Sequence, residues 1–261
     1  MNLSFQAFYW LCTKEVMRFW KVMAQTVLSP LVNASLYLLV FGLSLANIVS
    51  PYPGVNYLSF LVPGIMALGA YNNALQNSAS SVMASKFHGD LQDLRLIPLS
   101  SRQIAAAYAC GALIRGLLVA SVIFVVGQLF HLLSQGTWLL PIHPFYLFVF
   151  LILGTLSFGN IGSFAGFISK SFDQLNVITN FIILPLIYLG GVFFSLSGLH
   201  PFWQGLSKFN PLLYLIHGLR WSFLGISDVD IQLCLSFGIL FLVATSFLAI
   251  YAVKRGSYQR F

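Results

Sequence analysis

Apolar residues run through most of this chain without alternating with polar ones, and the runs break only at a few Pro, Gly and polar clusters. Stretches such as "LYLLVFGLSL" and "FGILFLVATSFLAIYAV" are apolar on every face, which argues against the period-two signature of a barrel strand and for helices. No Asp, Glu, Lys or Arg occurs from Val22 to Ser85, Gly116 to Ser169, Gln174 to Ser207, or Ile231 to Val253. A spanning helix needs about 20 apolar residues, so the first two windows have room for two spans each. The breaks predict six membrane helices over 22–47, 58–82, 103–133, 144–168, 174–194 and 231–253. The expected fold class is an all-α integral membrane protein, with one transmembrane domain over 1–261.

Three segments between or before these spans follow other patterns. At the start (1–21), "FQAFYWLCTKEVMRFWKVM" puts Phe5, Phe8, Tyr9, Cys12, Val16, Phe19 and Met23 on one helical side and Lys14, Arg18 and Lys21 on the other. That pattern suits a helix lying in the membrane interface, either a plain anchor or one whose basic face also touches a partner. The first charge is Lys14, so the basic start of a cleavable signal is missing. Residues 195–230 contain Gly198, Pro201, Gly205, Pro211, Gly218 and Gly225 among Phe202, Trp203, Phe209, Tyr214, Trp221 and Phe223. Such a segment is too broken to cross twice and too apolar for a free loop, so it is expected to dip into the outer leaflet and return. It would act as an aromatic belt or as a lid, with Phe202 and Trp203 the candidate outer gate.

The third segment, "KFHGDLQDLRLIPLSSR" at 86–102, is rich in charge between two uncharged windows. Phe87, Leu91 and Leu94 form an apolar stripe flanked by Lys86, Asp90 and Asp93, and Pro98 ends the expected short helix over 86–98. Anionic headgroups would repel Asp90 and Asp93, so docking into a protein groove fits best. Ser100 and Gln103 then make a capping-box pattern opening the third span.

Polar residues within the spans must face protein or water. Asn72, Asn73, Gln76 and Asn77 give the second span an amide-rich side, read either as interhelical glue or as the lining of a translocation path. In the fourth span Gly162 and Gly166, overlapped by Gly159 and Ser163, have the spacing of close helix packing, within one chain or between two. Arg115 is the one charge well inside a span and is expected to snorkel or to pair with Asp173 or Asp93.

Composition agrees with the pattern: 58% of residues are hydrophobic, 7% are charged and the mean hydropathy is +0.86. Placing the N-terminus inside gathers Lys14, Arg18, Lys21, Lys86, Arg95, Arg102, Lys170, Lys254, Arg255 and Arg260 in the cytoplasm, and leaves Lys208 and Arg220 opposite. Both termini are therefore expected inside. The net charge of +7 is then a topology signal, and its scatter argues against a nucleic-acid partner. Cys12, Cys110 and Cys234 offer no metal spacing or disulfide framework, and neither HExxH nor GxSxG occurs. No phosphate loop of the GxxxxGK[ST] kind occurs either.

"FLVPGIMALGAYNNAL", "SKFHGDLQDLRLIPLSSRQI", "KSFDQLNVITNFIILPLIYLGGVFFSL" and "HPFWQGLSKFNPLLYLIHGLRWSFLGI", in this order and spacing, resemble the permease subunits of type-2 ABC exporters, the small bacterial kind made apart from their ATPase. The resemblance implies a basic interfacial helix before six spans. It also implies a coupling helix between spans two and three, here Phe87, His88, Asp90, Leu91, Asp93 and Leu94, and a re-entrant aromatic gate after span five. It implies no catalysis in this chain, a separate ABC ATPase dimer carrying ATP and Mg, a permease homodimer and contact with membrane lipid. The location implied is the bacterial inner membrane, and the cargo a drug, lipid or lipid-linked glycan. Two competing classes are a passive channel or secondary carrier, which would need a mid-membrane ion site, and a structural subunit that recruits an enzyme.

Overall fold

The structure, a computed structural model, describes residues 3–45, 50–94, 96–256 and 258. Its helices are α1 (Leu3–Trp20), α2 (Met23–Tyr37, continued by a π-helical stretch Leu38–Leu43), α3 (Tyr57–His88), α4 (Asp90–Asp93) and α5 (Ser101–Gln135). They continue with α6 (Pro144–Ile168), α7 (Phe172–Tyr188), α8 (Pro201–Ser207), α9 (Pro211–Leu224) and α10 (Ile231–Arg255). Start signals are local: Asn56 accepts from Leu58 N at 2.8 Å, and the Ser100–Gln103 capping box forms as expected.

Among the described residues five helices, Met23–Leu43, α3, α5, α6 and α10, are long and apolar enough to cross a membrane. The expected span at 174–194 corresponds to α7, whose 17 residues reach about 25 Å, a few Å less than a hydrocarbon core of about 30 Å. It ends early because the chain turns at Gly190–Gly191, with Gly191 at φ 75°. The first span's expected end at 47 lies outside the described residues. α3 runs beyond its expected end at 82, because the Lys86 ammonium is buried and donates to the carbonyls of Gly166, Phe167 and Ser169 at 2.8, 2.8 and 2.7 Å. The end of α3 is thereby tied to the end of α6.

α3 is the central helix, packed on α5, α6 and α9, while α10 covers α6 and α9. The glycine spacing of α6 serves this packing within one chain. A Cβ on Gly166 would come within 2.8 Å of Val82 Cβ, and one on Gly162 would collide with the backbone of Leu75. The α6 backbone can therefore lie directly on α3.

Contacts sort the loops into two ends. Gln103 donates to Ser4 at 2.9 Å, Lys14 and Asp90 stand 3.9 Å apart, and Tyr258 packs on Phe167 at 5.5 Å. This end carries Lys14, Lys86, Arg102, Lys170, Lys254 and Arg255, as the charge pattern anticipates; Arg95 and Arg260 lie outside the described residues. At the other end Tyr57 donates to the Phe193 carbonyl at 2.8 Å and His143 N to the Ser222 carbonyl at 2.9 Å.

Candidate functional site

A cavity of about 770 Å³ opens between α2, α3, α5 and the α7 end of the chain. Gln25, Ser29 and Asn33 of α2, Asn72, Asn73 and Gln76 of α3 and Arg115 of α5 are its polar lining. Tyr37, Phe41, Ile65, Leu68, Ile123, Ile187 and Phe193 are its apolar lining. Helical spacing joins the two: Gln25, Ser29, Asn33, Tyr37 and Phe41 recur every fourth residue, and Leu68, Asn72 and Gln76 follow the same step. The α2 polar stripe escaped the sequence reading although its period was legible.

Three of the four amides of the second span thus line one space, and Asn77 does not. Asn77 is fully buried and accepts from Arg18 Nη2 at its side-chain oxygen (2.9 Å) and its carbonyl (2.6 Å). Arg18 also donates to Ser80 at 3.3 Å and lies 3.8 Å from Glu15, whose carboxylate accepts from Ser81 at 2.8 Å. The expected basic face of α1 is corrected accordingly: Lys14 and Lys21 are exposed, but Arg18 turns into the bundle, where Asn77 offers two acceptors. The side of α1 facing the bundle is Leu11, Glu15 and Phe19, while Phe5 and Tyr9 remain exposed. Burial raises the Glu15 carboxyl above the ordinary range, with Arg18 and the Ser81 hydroxyl pulling the other way.

Arg115 meets neither Asp173 nor Asp93; its guanidinium borders the cavity instead, and its Nε is buried without a hydrogen-bond partner. Both acids sit in exposed positions at the basic end, and neither lines the cavity.

The expected coupling helix over 86–98 is shorter than its pattern suggested. Lys86, Phe87 and His88 close α3, Gly89 breaks the helix at φ 89°, and α4 is a single turn. The stripe divides: Phe87 is 57% exposed, but Leu91 and Leu94 are buried against a cluster that includes Leu11, Ile104 and Tyr108. An amphipathic turn buries its apolar side on the nearest apolar surface, and here α1 and α5 supply it. What the tip leaves open is Phe87, His88, Asp90, Gln92, Asp93, Leu96 (85% exposed) and Ile97.

At the other end Ser195 Oγ and Leu196 N both donate to Asp228 at 2.7 Å, so the 195–230 segment leaves and returns at one point. Phe202 and Trp203 lie on the exposed α8, packed edge to face at 5.2 Å, and neither lines the cavity. Buried beneath is Arg220 of α9, which sequence reading placed in an outer loop; it donates to the Gly191 carbonyl at 2.7 Å and lies 3.7 Å over the Phe60 ring. Among the described residues no group of three or more His, Cys, Asp or Glu is placed to hold a metal ion.

The ABC-2 type transporter family matches residues 6–224. The chain belongs to that family. It is 33% identical over 256 residues to the inner membrane transport permease YadH of Escherichia coli (strain K12), covering 98% of each chain. Nodulation protein J of Neorhizobium galegae is 24% identical over 236 residues, covering 90% of this chain and 88% of that one. The same-named protein of Rhizobium leguminosarum bv. viciae is 26% identical over 237 residues. As an ABC-2 permease the chain is the membrane subunit of a transporter.

Proposed function

We propose that this permease is the membrane half of an ATP-driven exporter that moves an amphipathic or hydrophobic molecule out of the cytoplasm or inner leaflet. The observation that carries the reading is the mixed lining of the cavity, where amides and Arg115 occupy one stretch of the helix stripes and aromatic and aliphatic side chains continue the same stripes beyond them. Such a lining suits a molecule with a polar head and an apolar body better than an ion. Energy comes from a separate ABC ATPase dimer holding ATP and Mg, because this chain contains no phosphate loop. Two permease copies assemble with it.

The chain sits in the bacterial inner membrane, as the name of YadH supports, with α7 as a sixth span and both termini cytoplasmic. The docking tip is Phe87, His88, Asp90, Asp93 and Leu96, joined by Lys14 through its contact with Asp90. The test is purification with the partner ATPase, reconstitution, and a screen of amphiphiles for stimulated ATP hydrolysis. Stimulation that is abolished by Gln76→Trp, which fills the cavity, is expected. Failure of any amphiphile to stimulate, or full stimulation of the filled variant, overturns the reading. An impermeant thiol reagent added outside should label a cysteine placed at Ser197 and not one at Gln92; the reverse overturns the orientation.

A further inference from the structure

Every one of the six acidic residues is accounted for, and none serves Arg115. Glu15 is held by Ser81 and Arg18, Asp90 stands beside Lys14, Asp228 accepts from Ser195 and Leu196, and Asp230 caps α10. Asp93 and Asp173 are exposed at the basic end of the bundle. Arg115 forms no ion pair with any of them, and its Nε is buried without a hydrogen-bond partner among the described residues. The other charge acting on it from across the packing is Arg18, which adds to the positive potential.

A guanidinium inside a span is costly unless an anion or a set of acceptors meets it. This one lies beside amides that are themselves free to bind: the side chains of Asn72 and Gln76 hydrogen-bond to no other described residue. An arginine fork with amide NH₂ groups alongside is a donor set for a phosphate-type oxyanion. The same cavity is also lined by Phe41, Ile65, Ile123 and Phe193, an apolar surface for a chain attached to that headgroup.

We infer that Arg115 anchors the headgroup of the transported amphiphile, and that this headgroup is anionic, of the phosphate-ester class. The inference rests on the reading of the cavity as the transport path and adds the chemistry of what occupies it. Arg115 holds the oxyanion, Asn72 and Gln76 donate to the oxygens it leaves free, and the alkyl portion lies along the apolar part of the lining.

The test uses the full chain in uncharged maltoside micelles. Binding of hexadecyl phosphate, hexadecyl maltoside and hexadecyltrimethylammonium is compared by native mass spectrometry. The phosphate is expected to bind tightest. Arg115→Gln should weaken it by about ten- to a hundredfold, the loss of a charge-assisted bidentate contact. Arg115→Lys, which keeps the charge but not the fork, should lose less than Arg115→Gln, and Lys254→Gln, an exposed cation outside the cavity, should lose nothing. Equal binding of the three amphiphiles, or an unchanged affinity in Arg115→Gln, overturns the inference while leaving the cavity as a path. Binding of none of the three overturns both.

Headgroup discrimination in the unaltered protein needs no variant, so a poorly folded Arg115→Gln does not remove the test. Two competitors identify the source of the oxyanion. Displacement by phosphatidylglycerol at equal concentration supports the inference with a bilayer lipid as occupant, and resistance to it supports a distinct cargo. Displacement by inorganic phosphate, mole for mole, overturns the amphiphile.

Discussion

Lys86→Met removes the ammonium that joins the end of α3 to the end of α6. Its Nζ donates to three carbonyls at 2.7 to 2.8 Å, and the side chain is fully buried. Hydrogen bonds to a charged group contribute about 1.5 to 3 kcal/mol each, but burying the ammonium itself costs several kcal/mol, so the intact arrangement is worth less than the sum. The variant keeps none of that attraction and leaves the Gly166, Phe167 and Ser169 carbonyls without this donor, each at about 1 to 3 kcal/mol if water does not reach it. A net loss of about 3 to 5 kcal/mol follows, which lowers the melting temperature by roughly 10 °C for a chain of this size. Methionine fills nearly the same volume, so a packing defect does not account for the change. The assay is thermal unfolding of purified protein in detergent, followed by monodispersity on size exclusion. Melting within 2 or 3 °C of the unaltered protein, inside about 1 kcal/mol, would refute the cap and return Lys86 to being a solvated topology charge.

Leu91→Asp puts a carboxylate among Leu11, Ile104 and Tyr108 and should lower the yield of folded protein, whereas Phe87→Ala with Leu96→Ala should leave melting unchanged and release the ATPase during co-purification; a stable Leu91→Asp protein would place that side chain on the surface after all. Gly162→Ala forces a Cβ against the Leu75 backbone and should cost about 1 to 3 kcal/mol, while Gly205→Ala, with nothing within 4 Å, should be silent in the same unfolding assay. The Cys12 thiol is pushed up to about 11 by burial, with Cys110 beside it adding to the rise. At pH 8 it should therefore react with maleimide about two orders of magnitude more slowly than a free thiol, and rapid labelling in a Cys110→Ser, Cys234→Ser background would contradict that burial.

Much of the site is legible in the sequence. The amide side of α3 appears in the spacing of Asn72, Asn73 and Gln76, and the α2 stripe of Gln25, Ser29 and Asn33 was equally readable by period. Asn77 could not be separated from its neighbours that way. One step along a helix turns a side chain by about 100°, and whether that direction holds a cavity or Arg18 depends on the neighbouring helix.

What the sequence by itself determined is what depends on local chemistry: the membrane as solvent, helices instead of strands, the capping box at Ser100 and the basic residues gathered at one end. An apolar run satisfies its own backbone in lipid whatever surrounds it, so these features follow from composition and spacing. Only the tertiary structure decided which partner each amphipathic surface meets. Periodicity makes Phe87, Leu91 and Leu94 a stripe but does not say whether a second protein or the chain's own α1 and α5 will cover it. It shows an arginine in a span at 115 and another in the outer segment at 220 without telling them apart. Arg220 is closed in by Gly191 and Phe60, whereas Arg115 opens onto a cavity. The reason is physical: burial belongs to a pair of surfaces, and a sequence states only one of them at a time.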